Sequence, residues 1–348
     1  MEQQKKSLGA RLFQRYGLDA LSAMALGLFS TLIIGTILDQ LGQYVPGLSQ
    51  LSEFAAVAKS GYVVGAAIGV SVAWGMKVAP LAIFTSAVSG AIGYTLGAPL
   101  GSFIAAVLGA EAGNFVAGKT KVDIILVPSA TIIVGGFVAV FFSPVVNSLM
   151  DMLRSFIDTA TRMQPIPMGI IVSVVVGLAL TAPISTAALC AMIFIAPDGQ
   201  ELGLGLQLAA GAATVGCCAQ MIGFAAASYK ENGIGGFIAQ GLGTSMLQIS
   251  NILRHPLILV PPTLAAAILG PLATTIFDMR NYGVFAGMGT SGLVGQIGTF
   301  KYMPGNPGLV MVKVLLLHVF LPALISVIAC WVMRRAGLIK DGDMKLDV

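Results

Sequence analysis

Long apolar runs separated by short polar clusters form the dominant pattern of the chain. An α-helix needs about 20 apolar residues to cross the hydrocarbon core of a bilayer. Uninterrupted runs of roughly this length predict spanning helices over residues 18–38, 124–146, 202–228, 257–277 and 309–333. With the shorter runs added, the pattern predicts an all-α, polytopic transmembrane helical bundle with about 8–10 spans.

Several of the apolar runs are too short, or too rich in glycine and proline, to be ordinary spans. Residues 80–94 and 99–110 are separated by Gly97 and Pro99, and Thr181–Thr186 interrupts the run over residues 166–196. Residues 283–299 are glycine-rich. Irregular backbone at membrane depth is tolerated where it lines a cavity or is buried in protein. These segments therefore predict broken helices and re-entrant hairpins.

Residues 147–163 have a different pattern, in which apolar side chains recur at helical spacing opposite charged ones. The apolar positions are Leu149, Met152, Leu153, Phe156 and Ile157, and the charged ones are Asp151, Arg154, Asp158 and Arg162. This pattern predicts an amphipathic arm helix at the membrane interface. Within a single membrane domain over residues 1–348, the arm would link an N-terminal half, 18–146, to a C-terminal half, 164–335, that contains the hairpins.

Composition excludes a soluble domain, since charged residues make up 10% of the chain and hydrophobic residues 56%, whereas soluble domains carry about 25% charged residues. The net charge of +4 does not indicate a nucleic-acid partner, because the basic residues gather near both ends, among them Lys5, Arg11, Arg334 and Lys345. Basic flanks are typical of the cytoplasmic side of a membrane. We therefore expect a multi-pass protein of the cell membrane with both termini cytoplasmic.

The densest group of candidate binding residues lies just before Pro256. Thr244, Gln248 and Asn251 would share one face of a helix, and Ser245 and His255 are close in sequence. Neutral hydroxyls and amides both donate and accept hydrogen bonds, which suits the hydroxyl groups of a sugar. The alternative is that these side chains only bond neighbouring helices. Polar residues inside a membrane usually face a cavity or each other.

Other polar residues at interruptions or within apolar runs are candidates for the same reason. Glu111 and Asn114 would share a helical face, as a solute site or as a polar contact between helices. The remaining candidates lie in the interrupted segments, namely Ser185, Thr186, Thr290, Ser291 and Gln296. No catalytic constellation is evident. The four cysteines all lie in apolar runs, and with only two histidines in the chain they predict neither a metal site nor a cofactor.

Three segments carry a resemblance to a known family: GKTKVDII at 118–125, HPLILVPP at 255–262 and GMGTSG at 287–292. With them, the chain resembles the membrane IIC components (EIIC) of the phosphoenolpyruvate-dependent sugar phosphotransferase system, and within that superfamily the stand-alone IIC-like, toxin-regulator-like branch. The resemblance implies a homodimer, an elevator-type motion of a mobile domain with two re-entrant hairpins, and IIA and IIB components as possible partners.

One position departs from the pattern of the sugar-transporting relatives, which carry a sugar-binding Glu before an Asn-Pro pair. If His255-Pro256 matches that pair, Thr244 stands at the position of the Glu. A threonine cannot act as a carboxylate, so the departure argues against coupled phosphorylation.

Pattern and resemblance together predict a permease for a sugar or similar small polar solute. The alternatives are a membrane sensor that binds such a solute without transporting it, and a structural or lipid-binding membrane protein. By itself the chain is not expected to be an enzyme. It would be the membrane subunit of a phosphotransferase system if IIA and IIB components were its partners.

Overall fold

Every regular element is helical in the computed structural model, which describes residues 8–182, 185–196 and 201–346. This confirms the predicted all-α fold class. Short 3-10 and π-helical turns join several of the helices. The α-helices are α1 (Leu8–Leu12), α2 (Ala20–Leu28), α3 (Ile34–Tyr44), α4 (Gln50–Ala58), α5 (Gly61–Gly75), α6 (Pro80–Val116), α7 (Asp123–Met163), α8 (Pro165–Thr181), α9 (Thr186–Ile193), α10 (Leu204–Ala227), α11 (Tyr229–Ile238), α12 (Ile249–Arg254), α13 (Val260–Thr275), α14 (Val294–Tyr302), α15 (Pro307–Val314) and α16 (Leu321–Arg335).

Six helical stretches in the described part of the chain are long and apolar enough to cross a membrane. The pair α4 and α5, bent by 56°, raises the number to seven if it forms one span. The number is below the predicted eight to ten because some predicted pieces are limbs of one helix or are too short, as α8 is. The six stretches are Phe13–Gln43, Pro80–Val116, Asp123–Met163, Leu204–Ala227, Pro256–Thr275 and Pro307–Arg335. The chain is a multi-pass membrane protein.

Helix α6 is broken where the sequence predicted an interruption. Gly97 and Ala98 have non-helical backbone angles, and Ala98 has a positive φ of 50°. Pro99 follows, and its ring disfavours the α conformation of the residue before it. The two limbs fold against each other so closely that a Cβ atom on Gly93 would lie 2.5 Å from the carbonyl oxygen of Gly101. The apolar pieces at 80–94 and 99–110 are therefore the limbs of one sharply bent element.

The chain divides into two compact units, and the boundary lies inside α7 between Asp151 and Met152. In the first unit, helices meet through glycine. A Cβ atom on Gly69 would lie 2.0 Å from the carbonyl oxygen of Ser86, and one on Gly90 would lie 2.3 Å from that of Gly65. Membrane helices pack closely where small residues let their backbones approach. The glycines at these positions therefore allow α5 and α6 to pack backbone against backbone.

The second unit is built around α10, which is buried on nearly all sides. Glycines again permit the contacts, since a Cβ atom on Gly216 of α10 would lie 1.9 Å from the carbonyl oxygen of Ser173 in α8. Gly270 of α13 similarly approaches the carbonyl oxygen of Gly169. A helix that is apolar all round is a core helix. Helix α10 is therefore the central helix of the second unit.

The predicted arm, residues 147–163, forms the end of α7. Arg154 donates to the carbonyl oxygens of Met192 and Ile193, and Asp158 accepts from the backbone N–H of Leu206. The side chain of Phe156 is exposed. The charged side of this helix thus binds the ends of α9 and α10, while apolar side chains lie on its outer surface.

Candidate functional site

Three interrupted segments of the second unit lie next to one another. The first is the break after α8, at Thr181 and Ala182, with the start of α9 at Thr186. The second is the stretch from Ala239 to Gln248, where a π-helical turn and a 3-10 turn flank Thr244. The third comprises the 3-10 turns Gly283–Gly287 and Ser291–Leu293. Ile184 and Pro183 lie outside the described residues.

A buried set of hydroxyls and amides joins the first two segments. The hydroxyl oxygens of Thr181 and Ser245 lie 2.9 Å apart. Thr181 Oγ1 donates to Oε1 of Gln220 on α10 at 3.3 Å, and Gln220 Nε2 donates to Thr263 Oγ1 at 3.0 Å. Because buried polar groups need partners, this network ties the two breaks to the centre of the unit.

The first and third segments meet through one side chain and one backbone carbonyl. Thr186 Oγ1 donates to the carbonyl oxygen of Gly287 at 2.7 Å. The fit leaves no space for a side chain, since a Cβ atom on Gly287 would lie 2.3 Å from the carbonyl oxygen of Thr186. Leu293, at the far end of the segment, has a left-handed backbone with φ of 61°. Such strain in a non-glycine residue costs about 1–3 kcal/mol and often occurs at functional sites.

Hydroxyl groups remain partly accessible at the edges of these segments. Ser185, Thr244 and Ser291 are half-buried, whereas Thr186, Ser245 and Thr290 are buried. The backbone of Thr244 is extended, so it precedes the helical turn of Gln248 instead of sharing its face. Its oxygen accepts from the backbone N–H of Met246 at 3.1 Å, which leaves the hydroxyl hydrogen free to donate. The edges therefore present donors and acceptors suited to a hydroxylated ligand.

Three predicted site residues contact residues 343–345. Gln248 Nε2 donates to the carbonyl oxygen of Met344 at 3.0 Å, and Asn251 Nδ2 donates to that of Lys345 at 2.9 Å. His255 Nδ1 lies 3.6 Å from Oδ1 of Asp343. Gln248 and Asn251 are neighbours, as their spacing predicted, and they also bond each other at 2.8 Å.

Gln296 lies in the packed interior of the second unit. Its Nε2 is 3.1 Å from Nδ1 of His318, in the π-helical turn Leu315–Phe320, and 3.5 Å from Sγ of Cys218. Oε1 of Gln296 and Nε2 of His318 have no hydrogen-bond partner among the described residues. This pair joins α14 to the final membrane stretch.

Glu111 and Asn114 belong to the first unit and make polar contacts between helices there. Glu111 Oε1 accepts from Arg15 Nε at 2.8 Å and from the hydroxyl of Tyr16 at 2.9 Å. Asn114 Oδ1 accepts from the backbone N–H of Ala79 at 2.9 Å, immediately before α6. These contacts correspond to the second of the two interpretations that their spacing left open.

Sequence reasoning missed a polar cavity of about 490 Å³ in the second unit. The rings of Tyr282 and Tyr302 stack in its wall with centroids 4.8 Å apart. Burial raises the pKa of Tyr302, so its hydroxyl stays neutral. The polar residues in the stretch 278–282 could have indicated a binding site here. Nothing in the sequence predicts that the rings of Tyr282 and Tyr302 stack. The lining residues are Glu201, Leu202, Gln207, Asn281, Tyr282 and Tyr302.

The described residues contain no group of three or more His, Cys, Asp or Glu side chains placed to hold a metal ion. The sequence matches the family model described as "Phosphotransferase system, EIIC" over residues 18–346. The chain belongs to this EIIC family. The EIIC chain is accordingly a membrane component of sugar transport, and its family implies a sugar substrate with IIA and IIB components as possible partners. No curated protein and no solved structure matches this EIIC chain.

Proposed function

We propose that this EIIC chain is an elevator-type permease for a sugar or similar small polar solute, and that the interrupted segments of its second unit hold that solute. The observation that carries the proposal is the 2.9 Å contact between the hydroxyls of Thr181 and Ser245, which brings two helix breaks together beside α10. Transporters commonly bind solutes where broken helices meet near the middle of the membrane.

The half-buried hydroxyls supply the chemistry of the proposed site. A hydroxyl has one donor and two acceptor lone pairs. Ser291 is half-buried, and the half-buried Ser185 and Thr244 each use one lone pair on a backbone N–H, of Ala188 and Met246. Backbone groups freed at the breaks add further hydrogen-bonding positions. Neutral groups of this kind favour an uncharged polyol. Gln248, Asn251 and His255 would form the outer part of the site when residues 343–345 do not occupy them.

Transport by this chain would not require phosphorylation of the solute. Thr244 carries a hydroxyl at the position where the resemblance places a carboxylate, and a neutral hydroxyl cannot serve as a carboxylate base. We therefore propose that the solute crosses unmodified. The homodimer, the cytoplasmic termini and the cell-membrane location remain predictions.

Counterflow of labelled sugars in proteoliposomes tests the proposed function. We expect exchange of at least one sugar by the unaltered protein, and at least about a tenfold loss in Thr244→Val and Ser291→Ala, since loss of a site hydrogen bond of about 1.4 kcal/mol corresponds to tenfold. The control is Thr275→Val, because the Thr275 side chain is exposed and its hydroxyl donates to Pro271 of its own helix at 2.6 Å. Thermal unfolding in detergent would verify that all variants fold.

Each outcome of this experiment has a distinct meaning. Equal exchange in both site variants and in the control would remove the proposed site. Binding of a sugar without exchange would replace the permease by the solute sensor. Phosphorylated product formed with IIA and IIB components would show that Thr244 does not prevent coupled phosphorylation.

A further inference from the structure

Residues 337–346, the last ten that the structure describes, pack against the rest of the second unit after α16 ends. The side chains of Ile339 and Met344 are almost completely buried and pack in one cluster with Phe224, Ile258 and Cys330. Leu346 is also buried, with 8% of its surface exposed. We call residues 337–346 the C-terminal segment.

Two adjacent residues of α11, Glu231 and Asn232, bind backbone N–H and C=O groups of the C-terminal segment. Asn232 Nδ2 donates to the carbonyl oxygen of Met344 at 2.9 Å, and Asn232 Oδ1 accepts from the N–H of Leu346 at 2.8 Å. The carboxylate of Glu231 accepts from the N–H groups of Met344 at 3.0 Å and Gly342 at 3.2 Å. The segment forms a turn at residues 341–344. Its binding combines backbone hydrogen bonds with buried positions for Ile339 and Met344, the two means by which proteins recognise peptides.

Two further residues that bind the segment, Gln248 and Asn251, are predicted solute-site residues, and the N–H donors of their amides are fully used. Gln248 Nε2 donates to Gln240 Oε1 at 2.8 Å and to Met344 at 3.0 Å. Asn251 Nδ2 donates to Gln248 Oε1 at 2.8 Å and to Lys345 at 2.9 Å. A side-chain amide has two N–H donors, so neither residue has an N–H left for a solute hydroxyl while the C-terminal segment is docked.

We propose that Glu231, Asn232, Gln248 and Asn251 form a peptide-binding groove whose occupant is the chain's own C-terminal segment, and that this segment and the solute compete for Gln248 and Asn251. The competition rests on the proposed function, whereas the groove does not. Release of the segment frees one N–H on the amide of Gln248 and one on that of Asn251, and it also frees His255. All three residues follow Thr244 closely in the chain. The docked segment thereby lowers the affinity for solute.

The C-terminal segment can leave without unfolding the helix before it. Gly337, two residues after the end of α16, and Gly342 have φ values of 72° and 100°, and neither has an atom placed to contact an added Cβ. Glycine adopts such angles without a steric penalty. These positions allow the chain to turn away from the groove while α16 remains packed.

A spin label at position 345 would report docking directly. The native cysteines are Cys190, Cys217, Cys218 and Cys330, all free and buried, whereas Lys345 is exposed, so Lys345→Cys is the site for labelling. We expect restricted label motion in the otherwise unaltered protein and free motion after Met344→Asp, with Leu346→Asp as a second displacing variant. Lys340→Ala, at an exposed position of the same segment, is the matched control and should leave the label restricted.

Solute affinity tests the competition. For a segment docked about nine-tenths of the time, Met344→Asp should tighten binding of the exchanged sugar about tenfold, because the apparent affinity scales with the competent fraction. Saturating sugar should also mobilise the label in the protein that keeps Met344. A label freed by Met344→Asp with unchanged affinity would overturn the competition.

A fluorescent peptide with the sequence of residues 337–346 tests the groove independently of any sugar. It should bind the Met344→Asp protein, whose groove is empty, more tightly than the unaltered protein, and Asn232→Ala in the Met344→Asp background should weaken it. Absence of peptide binding would overturn the groove. Peptide binding by a protein that binds none of the sugars would instead contradict the proposed function and leave the groove standing.

Discussion

The carboxylate of Asp158 accepts a hydrogen bond from the backbone N–H of Leu206, with 3.0 Å between Oδ1 and N. Helix α10 begins at Leu204, so this N–H is one of the first four of the helix, which lack partners within it. One turn earlier on α7, Arg154 Nη2 donates to the carbonyl oxygen of Met192 near the end of α9, at 2.8 Å. A carboxylate is attracted to the partial positive charge at the start of a helix, and a guanidinium to the partial negative charge at the end. Both contacts therefore stabilise the helices that they touch.

Replacing Asp158 by Ala should destabilise the second unit by about 1 kcal/mol, the usual cost of removing a side-chain cap. Asp158→Asn keeps an acceptor oxygen at the same position and should lose less. Thermal unfolding in one detergent, followed by circular dichroism, would rank the three proteins. Equal midpoints for Asp158→Ala and the unaltered protein would mean that the contact with Leu206 does not contribute to stability.

Two adjacent glycines on α7 should respond in opposite ways to the addition of one methyl group. A Cβ atom on Gly135 would lie 2.6 Å from Cβ of Ser89 and 3.0 Å from the carbonyl oxygen of Ala105. One on Gly136 would have only a methyl group of Ile92 nearby, at 3.9 Å. Gly135→Ala should therefore destabilise the first unit by about 1–3 kcal/mol through overpacking.

Gly136→Ala is the matched control for that variant. It should be neutral, or stabilising by up to about 1 kcal/mol, because alanine is the better helix former. Denaturation of both variants in the same micelles would compare them. Destabilisation of the same size in both would show that the close approach of the helices at Gly135 does not determine the result.

The contact between Gln296 and His318 should appear as a coupling energy. Gln296→Leu alone leaves Nδ1 of His318 buried without its 3.1 Å partner, and leaving a buried polar group unpaired costs about 1–3 kcal/mol. Removing both polar groups, with His318→Phe as the second change, should cost less than the sum of the single changes. Unfolding of both single variants and the double variant gives the coupling, and additive effects would contradict it.

We expect that solute binding requires the third interrupted segment to dock against α9. Gly287→Ala would place a Cβ atom 2.3 Å from the carbonyl oxygen of Thr186, and an overpacking cost of about 1.4 kcal/mol corresponds to a tenfold loss of sugar affinity if binding needs the docked arrangement. Gly235→Ala, on α11 and outside the three interrupted segments, is the control, since a Cβ atom there has nothing within 4 Å. Sugar affinity measured on both purified variants checks this. Equal sugar affinity in the two variants would show that binding does not need this segment to dock against α9.

The positions of the helix breaks followed from local sequence. Gly97 and Pro99 predicted the interruption of α6, and the break lies at Gly97 and Ala98. Proline and glycine act on the backbone of their own neighbourhood, so their effect can be predicted without knowing the fold. The spacing of Gln248 and Asn251 likewise predicted their proximity, because residues three apart on a helix are neighbours.

The partners of the polar residues could not be predicted in this way. Glu111 contacts Arg15, which is 96 positions away, and Asn251 contacts the backbone of Lys345, which is 94 positions away. Periodicity shows which side of a helix is polar, but several distant groups of matching chemistry compete for each polar side chain. The choice among them depends on how the helices pack.

The amino-acid sequence by itself determined that the protein is a helical, multi-pass membrane protein of the EIIC family and where its helices are interrupted. A bilayer forces each spanning segment to satisfy its backbone hydrogen bonds locally, so these properties are set by neighbouring residues. The tertiary structure decided that Thr181 meets Ser245 and that the C-terminal segment covers Gln248 and Asn251. Such contacts join distant parts of the chain, and only the packing of helices around α10 brings them within hydrogen-bonding distance.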